Sequence, residues 1–382
     1  MNPTLALSGY YFAYFAYVGA YSPYITLYLA AVGISAAQIG LLYSIPQVMR
    51  IFGPTLWGHL ADRTGKPAPI LRIATVIALA GFGAVWFGSS FAWLFCAFVV
   101  MHFFTSAQMP LVEAITLDHV RDAPGNYGRI RMWGSIGFIA AVIGLGYLLD
   151  HAPESAVLYV VTGLLAMVVL MAWLMPAPRR HEAHAEGTGS VAEVLRRPEV
   201  RAFFIAGALN AFAHAALYTF YSLYLTNHGY SKATVGWMWS LGVFIEIAVF
   251  QFLPQLTRRY DLALLYFSSF VACGVRFLLI AWGVDYWWLL VIAQILHAST
   301  FAIYHASAVA LVARYFGPAR QARGQALYIS LTFGVGGFIG ATVSGTLWQS
   351  IGPAWTYTLS AVAGFAGMLV FMPFFRRKAV AA

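Results

Sequence analysis

Of the 382 residues, 61% are hydrophobic and 9% charged, against about 25% charged in an average soluble domain. That balance excludes an ordinary soluble protein, and apolar stretches of about 20 residues suit helices crossing a hydrocarbon core about 30 Å thick rather than barrel strands. The formal net charge of +9 does not read as a nucleic-acid footprint, because the basic residues cluster in alternate loops.

Twelve apolar spans are expected, at about 8–32, 38–57, 70–88, 91–119, 129–149, 155–175, 202–226, 234–254, 263–282, 286–316, 323–348 and 354–374. With both termini placed in the cytoplasm, Arg63, Lys66, Arg121, Arg179, Arg180, Arg196, Arg197, Arg258, Arg259, Arg314, Arg320 and Arg323 fall inside, and only Lys232 falls in an outer loop. That asymmetry obeys the positive-inside rule. Cys96 and Cys273 lie in apolar runs and read as small buried hydrophobes.

The first span carries Tyr10, Tyr14, Tyr17, Tyr21, Tyr24 and Tyr28. Steps of four and three put the six phenols on one helical face. A hydroxyl facing lipid would lack a partner, so this face turns inward. Two readings stay open for it: Tyr14, Tyr17 and Tyr21 line a substrate cavity, or the face packs a core.

The loop after the second span reads Gly58-His59-Leu60-Ala61-Asp62-Arg63-Thr64-Gly65-Lys66. This G-x-x-x-D-R-x-G-K spacing resembles the cytoplasmic signature of the major facilitator superfamily. The resemblance implies a twelve-helix, all-α membrane fold in two six-helix bundles, with Gly58, Asp62, Arg63, Gly65 and Lys66 forming a cytoplasmic gate.

Between the fourth and fifth spans, Glu113 and Arg131 flank a polar turn. At 1.5 Å per residue, Glu113 lies roughly 12 Å and Arg131 roughly 7 Å inside their helices. Charges at that depth mark a pathway for substrate or ions. The stretch also resembles oligosaccharide:proton symporters, which implies substrate binding at Glu113 and Arg131, and coupling at Arg276 and His297. It departs at Thr300, where that group has a proton-carrying glutamate.

A polar run from Pro176 to Arg201, with a short helix expected at Val191 to Leu195, reads as a cytoplasmic linker between bundles at 1–175 and 202–382. The halves repeat: Tyr28-Leu29, Gly33, Ser35, Gly40 and Ser44 recur as Tyr224-Leu225, Gly229, Ser231, Gly236 and Ser240, each 196 residues later (240 − 44 = 196). Such a parallel repeat belongs to transporters.

In the second half, Asn210, His214, Tyr218 and Tyr221 share a helical face, and Glu246, Arg276, His297 and His305 are embedded in apolar spans. Glu246 and Arg276 are expected to neutralise one another, and Arg50, the repeat partner of Glu246, is expected to be deep. Gly336 and Gly340 form a G-x-x-x-G pair suited to close helix contact where bundles slide. The segments at 213–224, 229–247 and 294–308 are similar to the phenylpropionic acid permease family, which implies proton-linked import of an aromatic carboxylate through the inner membrane. Asn210, His214 and Tyr218 then join the substrate residues, and Glu246, Arg276, His297 and His305 serve coupling. A sugar or nucleoside symporter and a drug antiporter remain as alternatives. The expected partners are a small-molecule substrate, protons and the bilayer, with no nucleic acid and a monomeric carrier. No phosphate loop, metal spacing or partnered nucleophile is present, so no cofactor and no enzyme activity are expected.

Overall fold

A computed structural model describes residues 3–121, 126–175 and 191–375. Most of the linker, together with Arg179, Arg180 and the basic residues after Phe375, lies outside the described residues. The long helices run α1 Pro3–Ala31, α2 Ala36–Thr64, α3 Pro67–Gly83, α4 Phe91–Thr105, α5 Gln108–His119, α6 Asn126–Leu149 and α7 Ala156–Leu174. After the short α8 Val191–Leu195 come α9 Pro198–Asn227, α10 Lys232–Arg259, α11 Leu262–Gly283, α12 Trp287–Ala298, α13 Tyr304–Phe316, α14 Gln321–Tyr328, α15 Gly337–Ser350 and α16 Pro353–Phe375.

Counting α4–α5, α12–α13 and α14–α15 as one helical rod each, ten of these are long and apolar enough to cross a bilayer. α1 and α2 are 29 residues each but fall below that threshold. The tyrosines of α1 and the Gln, Ser, Arg and Pro residues of α2 dilute them. Several of their polar side chains find partners inside the protein, among them Tyr10, Tyr21, Tyr24, Tyr43 and Ser44.

The described residues of 1–185 with 229–240 form one compact unit, and those of 186–228 with 241–382 form another. In the first unit, α1 lies against α6 and α7, while α3 packs on α4 and α7. The α1–α6 crossing rests on glycines. A Cβ at Gly19 would stand 2.6 Å from the Phe138 carbonyl oxygen, and one at Gly137 would meet the Phe12 carbonyl oxygen more closely still. Only hydrogen fits where two backbones come this near.

Turn chemistry starts and stops α2. Ser35 and Gln38 form a reciprocal capping box, and Gly65 ends the helix at φ 64° with its N–H on the Ala61 carbonyl. Arg72, within α3, spends its charge on a helix end. Its Nε donates to the Ala172 carbonyl at 3.3 Å and Nη2 to those of Trp173 and Met175 at 3.4 and 3.3 Å, satisfying carbonyls that α7 leaves open.

In the second unit, α9 packs against α15 and α16, and α11 against α12 and α16. Phe203, Tyr266, Tyr304 and Tyr328 fill its core, with Phe203 and Tyr266 stacked at 5.0 Å and Tyr266 and Tyr304 at 5.4 Å. Gly336 and Gly340 face the carbonyls of Ala208 and Phe212 on α9. The expected close contact therefore lies within this unit, not at a sliding surface. It mirrors Gly137 on Phe12, but 208 − 12 = 196 whereas 336 − 137 = 199. The three additional residues fall in a stretch wound as π-turns, Ile329–Gly336. A second π-stretch, Ser299–Ile303, interrupts the α12–α13 rod. Such widened turns often sit at functional sites.

Cys273 is buried as expected, whereas Cys96 is exposed on the α4 face that carries Trp93 and Val100.

Candidate substrate and coupling sites

The first unit presents a ladder of phenols. Along α1 the ring centroids of Tyr10, Tyr14, Tyr17 and Tyr21 follow one another at 6.3, 6.1 and 5.7 Å. Tyr10 donates to Gln108 Oε1 at 3.2 Å, and the Tyr21 hydroxyl meets His102 Nε2 at 3.0 Å. Tyr24 is a structural tie, its hydroxyl donating to the carbonyls of Val142 and Lys232. Of this face, Tyr10, Tyr17, Tyr21, Tyr24 and Tyr28 are buried, with the Tyr21 ring against Phe82, Phe98 and His102, and Tyr14 is partly exposed. His102 and Gln108 were not legible as site residues, because an isolated polar residue in an apolar run has no period to set it apart.

Arg131 projects from α6 beneath this ladder. Its guanidinium stacks over Phe15 at 4.3 Å and Tyr11 at 5.5 Å, and Gly134, one turn on, leaves room for both Phe15 and Arg131. Tyr127 hydrogen-bonds Arg131, and Glu113 acts on Arg131 and Tyr14 through space. Arg131 and Glu113 are both half-buried. Arg50, midway along α2, is exposed, and its Nη1 donates to Gln47 Oε1 at 3.1 Å.

The residues expected to form a gate sit at the end of α2. Asp62, Arg63, Gly65 and Lys66 are exposed, with Arg63 in the last turn, where a cation favours the helix dipole. Gly65 is required by its left-handed backbone. Gly58 is not required sterically here, since a Cβ on it would meet nothing within 4 Å.

The second unit holds a denser polar centre. Arg276 is 1% exposed. Its Nε donates to the Ala293 carbonyl at 3.0 Å, Nη1 to Thr300 Oγ1 at 3.2 Å and His214 Nε2 at 3.3 Å, and Nη2 to Gln294 Oε1 at 3.3 Å. Gln294 in turn donates to the Tyr221 hydroxyl at 2.7 Å. Every partner is neutral. The expected Glu246–Arg276 pair does not form. Glu246 Oε2 lies 3.7 Å from His297 Nε2 instead, because Gly242, one turn earlier on α10, lets the His297 ring approach to 3.0 Å of where a Cβ would stand. His297, Phe301 and His305 stack in series at 5.5 and 6.3 Å, and Glu246 also acts on His305.

Asn210, His214 and Tyr218 occupy one face of α9 as predicted, and Asn210 and His214 reach the Arg276 cluster. His214 Nδ1 lies 2.8 Å from the Asn210 carbonyl oxygen, and its ring is 6.4 Å from Tyr218. Asn210 Oδ1 and His297 Nδ1 are buried with no hydrogen-bond partner among the described residues. The clefts on the first unit, about 340 Å³ beside Trp93 and Cys96 and about 310 Å³ beside Phe12 and Gly137, are lined almost wholly by apolar groups. They lack the convergent polar groups that orient a solute.

The model of the MFS_1 like family matches residues 4–359. The chain is 30% identical over 363 residues to the probable 3-phenylpropionic acid transporter of Escherichia coli (strain K12), covering 92% of this chain and 93% of that one. It is 27% identical over 375 residues to the maltose permease of Geobacillus stearothermophilus, covering 97% and 94%. Among solved structures, nucleoside transporter NupG matches with a TM-score of 0.85 at 21% identity, over 98% of this chain and 100% of that one. That likeness shows the all-helical major facilitator fold expected from the sequence.

Proposed function

The chain belongs to the MFS_1 like family and is a multi-pass secondary transporter of the major facilitator superfamily, and on that premise we propose that it imports a small aromatic monocarboxylate, such as a phenylpropionate, together with a proton by alternating access. One observation carries the substrate class. Arg276 is a buried guanidinium whose partners among the described residues are all neutral, and an unpaired buried charge is costly enough that an arriving anion is strongly favoured. Arginine also suits a carboxylate better than any other side chain, through two parallel N–H bonds. In the first unit, Tyr14, Tyr17 and Tyr21 are the candidate aromatic side chains for a phenyl group. Glu113 and Arg131 supply further polar contacts, and Glu246, His297 and His305 form the route by which the proton is exchanged.

In this reading the protein works as a monomer in the inner membrane, as two bundles joined by the 176–201 linker, with both termini cytoplasmic. Asp62, Arg63 and their neighbours secure the cytoplasmic side. Relatives named for a maltose permease and a nucleoside permease frame the rival substrates. Uptake of labelled 3-phenylpropionate into proteoliposomes, competed by unlabelled aromatic acids, maltose or a nucleoside, separates them. Competition by benzoate-like acids alone supports the proposal, and competition by maltose or nucleoside alone overturns it.

A further inference from the structure

The Arg276 cluster contains a histidine whose surroundings are built for two protonation states. The Asn210 carbonyl 2.8 Å from His214 Nδ1 only accepts, so Nδ1 carries the proton and Nε2 is a bare lone pair. That lone pair takes the Arg276 Nη1–H at 3.3 Å. A proton added at Nε2 already has an acceptor, since Thr300 Oγ1 lies 3.1 Å away and Thr300 directs its own hydrogen to the His297 carbonyl at 3.1 Å. Nothing in hydrogen-bond geometry opposes an imidazolium here. What opposes it is burial first, and then the guanidinium.

The other groups around His214 do not relieve that opposition. From α11 come Arg276 and the Phe277 ring at 5.2 Å, from α12 comes His297, and Tyr218 follows on α9 itself. Tyr221, Tyr357 and Cys273 surround Arg276. The Ile329–Gly336 turns and α15, which also pack on α9, contain no charged residue. Among the described residues, no carboxylate acts on either His214 or Arg276.

We propose that His214 is the group at which proton binding and substrate binding are linked: a substrate carboxylate seated on Nη1 and Nη2 of Arg276 displaces His214 Nε2 from the guanidinium and neutralises it, and His214 then takes up a proton. The inference rests on the aromatic-carboxylate reading and deepens it. Anion and proton each favour the other's binding, by the same factor in both directions. The pair enters without net charge. Glu246 and His297 exchange the proton with water, whereas His214 holds it while substrate is bound. Gln294 and Thr300, released from Arg276, are the neutral acceptors that give way.

The test is proton uptake on binding, read by a pH indicator in weakly buffered, detergent-solubilised full-length protein, with 3-phenylpropionate as probe. About one proton is expected per anion bound, and the apparent Kd is expected to rise about tenfold per pH unit above the midpoint. His214→Gln keeps an acceptor for Arg276 but cannot titrate. It should bind with no proton uptake and a Kd flat in pH. Wild-type-like uptake by His214→Gln overturns the assignment and leaves the substrate reading intact, whereas wild-type binding without proton uptake overturns the linkage. If the wild type binds no aromatic carboxylate, both readings fall. If His214→Gln does not fold, Glu246→Gln decides: retained uptake supports His214, and lost uptake overturns it.

Discussion

Asp150 caps the amino end of α10 with both carboxylate oxygens, Oδ1 taking the Lys232 N–H at 2.7 Å and Oδ2 the Ala233 N–H at 3.1 Å. The α6–α7 loop is thereby fastened to a helix more than 80 residues away in sequence. Lys232 completes the junction, its Nζ donating to Glu154 at 2.9 Å and to the Leu149 carbonyl at 3.1 Å. A charged cap on two orphan N–H groups contributes about 1–2 kcal/mol, so Asp150→Ala is expected to lower unfolding stability by that amount in a detergent thermal melt.

Glu154 supplies a pH-dependent increment to the same junction. The hydrogen bond from Lys232 holds its carboxyl below the ordinary value. A group depressed in the folded state stabilises above its unfolded pKa, and that stabilisation is lost as pH falls through the folded value. The contact is partly exposed, so the effect is small. Glu154→Gln should melt slightly below wild type at pH 7, and the two should converge as the pH drops beneath the carboxylate range.

Arg276→Gln removes the charge and the paired donors while leaving the neighbouring acceptors in place. Charge-assisted hydrogen bonds are worth about 1.5–3 kcal/mol, so 3-phenylpropionate should bind roughly 10–150-fold more weakly. Arg276→Lys keeps the charge but not the fork and should recover only part of that loss. The Kd series from intrinsic fluorescence or calorimetry checks it, and equal Kd values across the three proteins would remove Arg276 from the site.

Much of this arrangement was legible because membrane burial makes polarity conspicuous. Tyr14, Tyr17, Tyr21, Glu113, Arg131, His214 and Arg276 stood out because a phenol, charge or imidazole in an apolar run needs a partner. The identity of the partner did not follow. Glu246 and Arg276 had opposite signs and adjacent helices, yet Gly242 admits His297 to Glu246 and the acceptors at Ala293, Thr300 and Gln294 occupy Arg276. The π-turns at Ser299–Ile303 and Ile329–Gly336 left no mark of their own in a sequence read at a period of 3.6.

The glycines separate packing from gating. Gly137→Val would drive a side chain into the Phe12 carbonyl, and Gly336→Val would do the same at Ala208. A backbone atom cannot yield as a side chain does, and overpacking of this kind costs about 1–3 kcal/mol or more. Gly58 has open space around it, so Gly58→Ala should leave the melting temperature unchanged or slightly raised, by the helix preference of alanine. If Gly58 belongs to the cytoplasmic gate, transport by Gly58→Ala falls while the melt does not. A coincident loss of both in the Gly58 variant would mark it as a packing residue.

Glu246→Gln isolates the proton route from substrate binding. Glu246 touches His297 at 3.7 Å and does not contact Arg276, so its carboxyl can exchange protons without holding the anion. The amide keeps the size and removes the titration. Counterflow exchange of 3-phenylpropionate between preloaded proteoliposomes and medium needs no net proton movement and should persist. Accumulation driven by an imposed pH gradient needs the proton to enter and leave, and is expected to fall at least about tenfold, the loss of a group worth 1.4 kcal/mol or more in the rate-limiting step. Retained accumulation would assign the route to His305 or to groups elsewhere, whereas loss of exchange together with accumulation would make Glu246 part of the substrate seat.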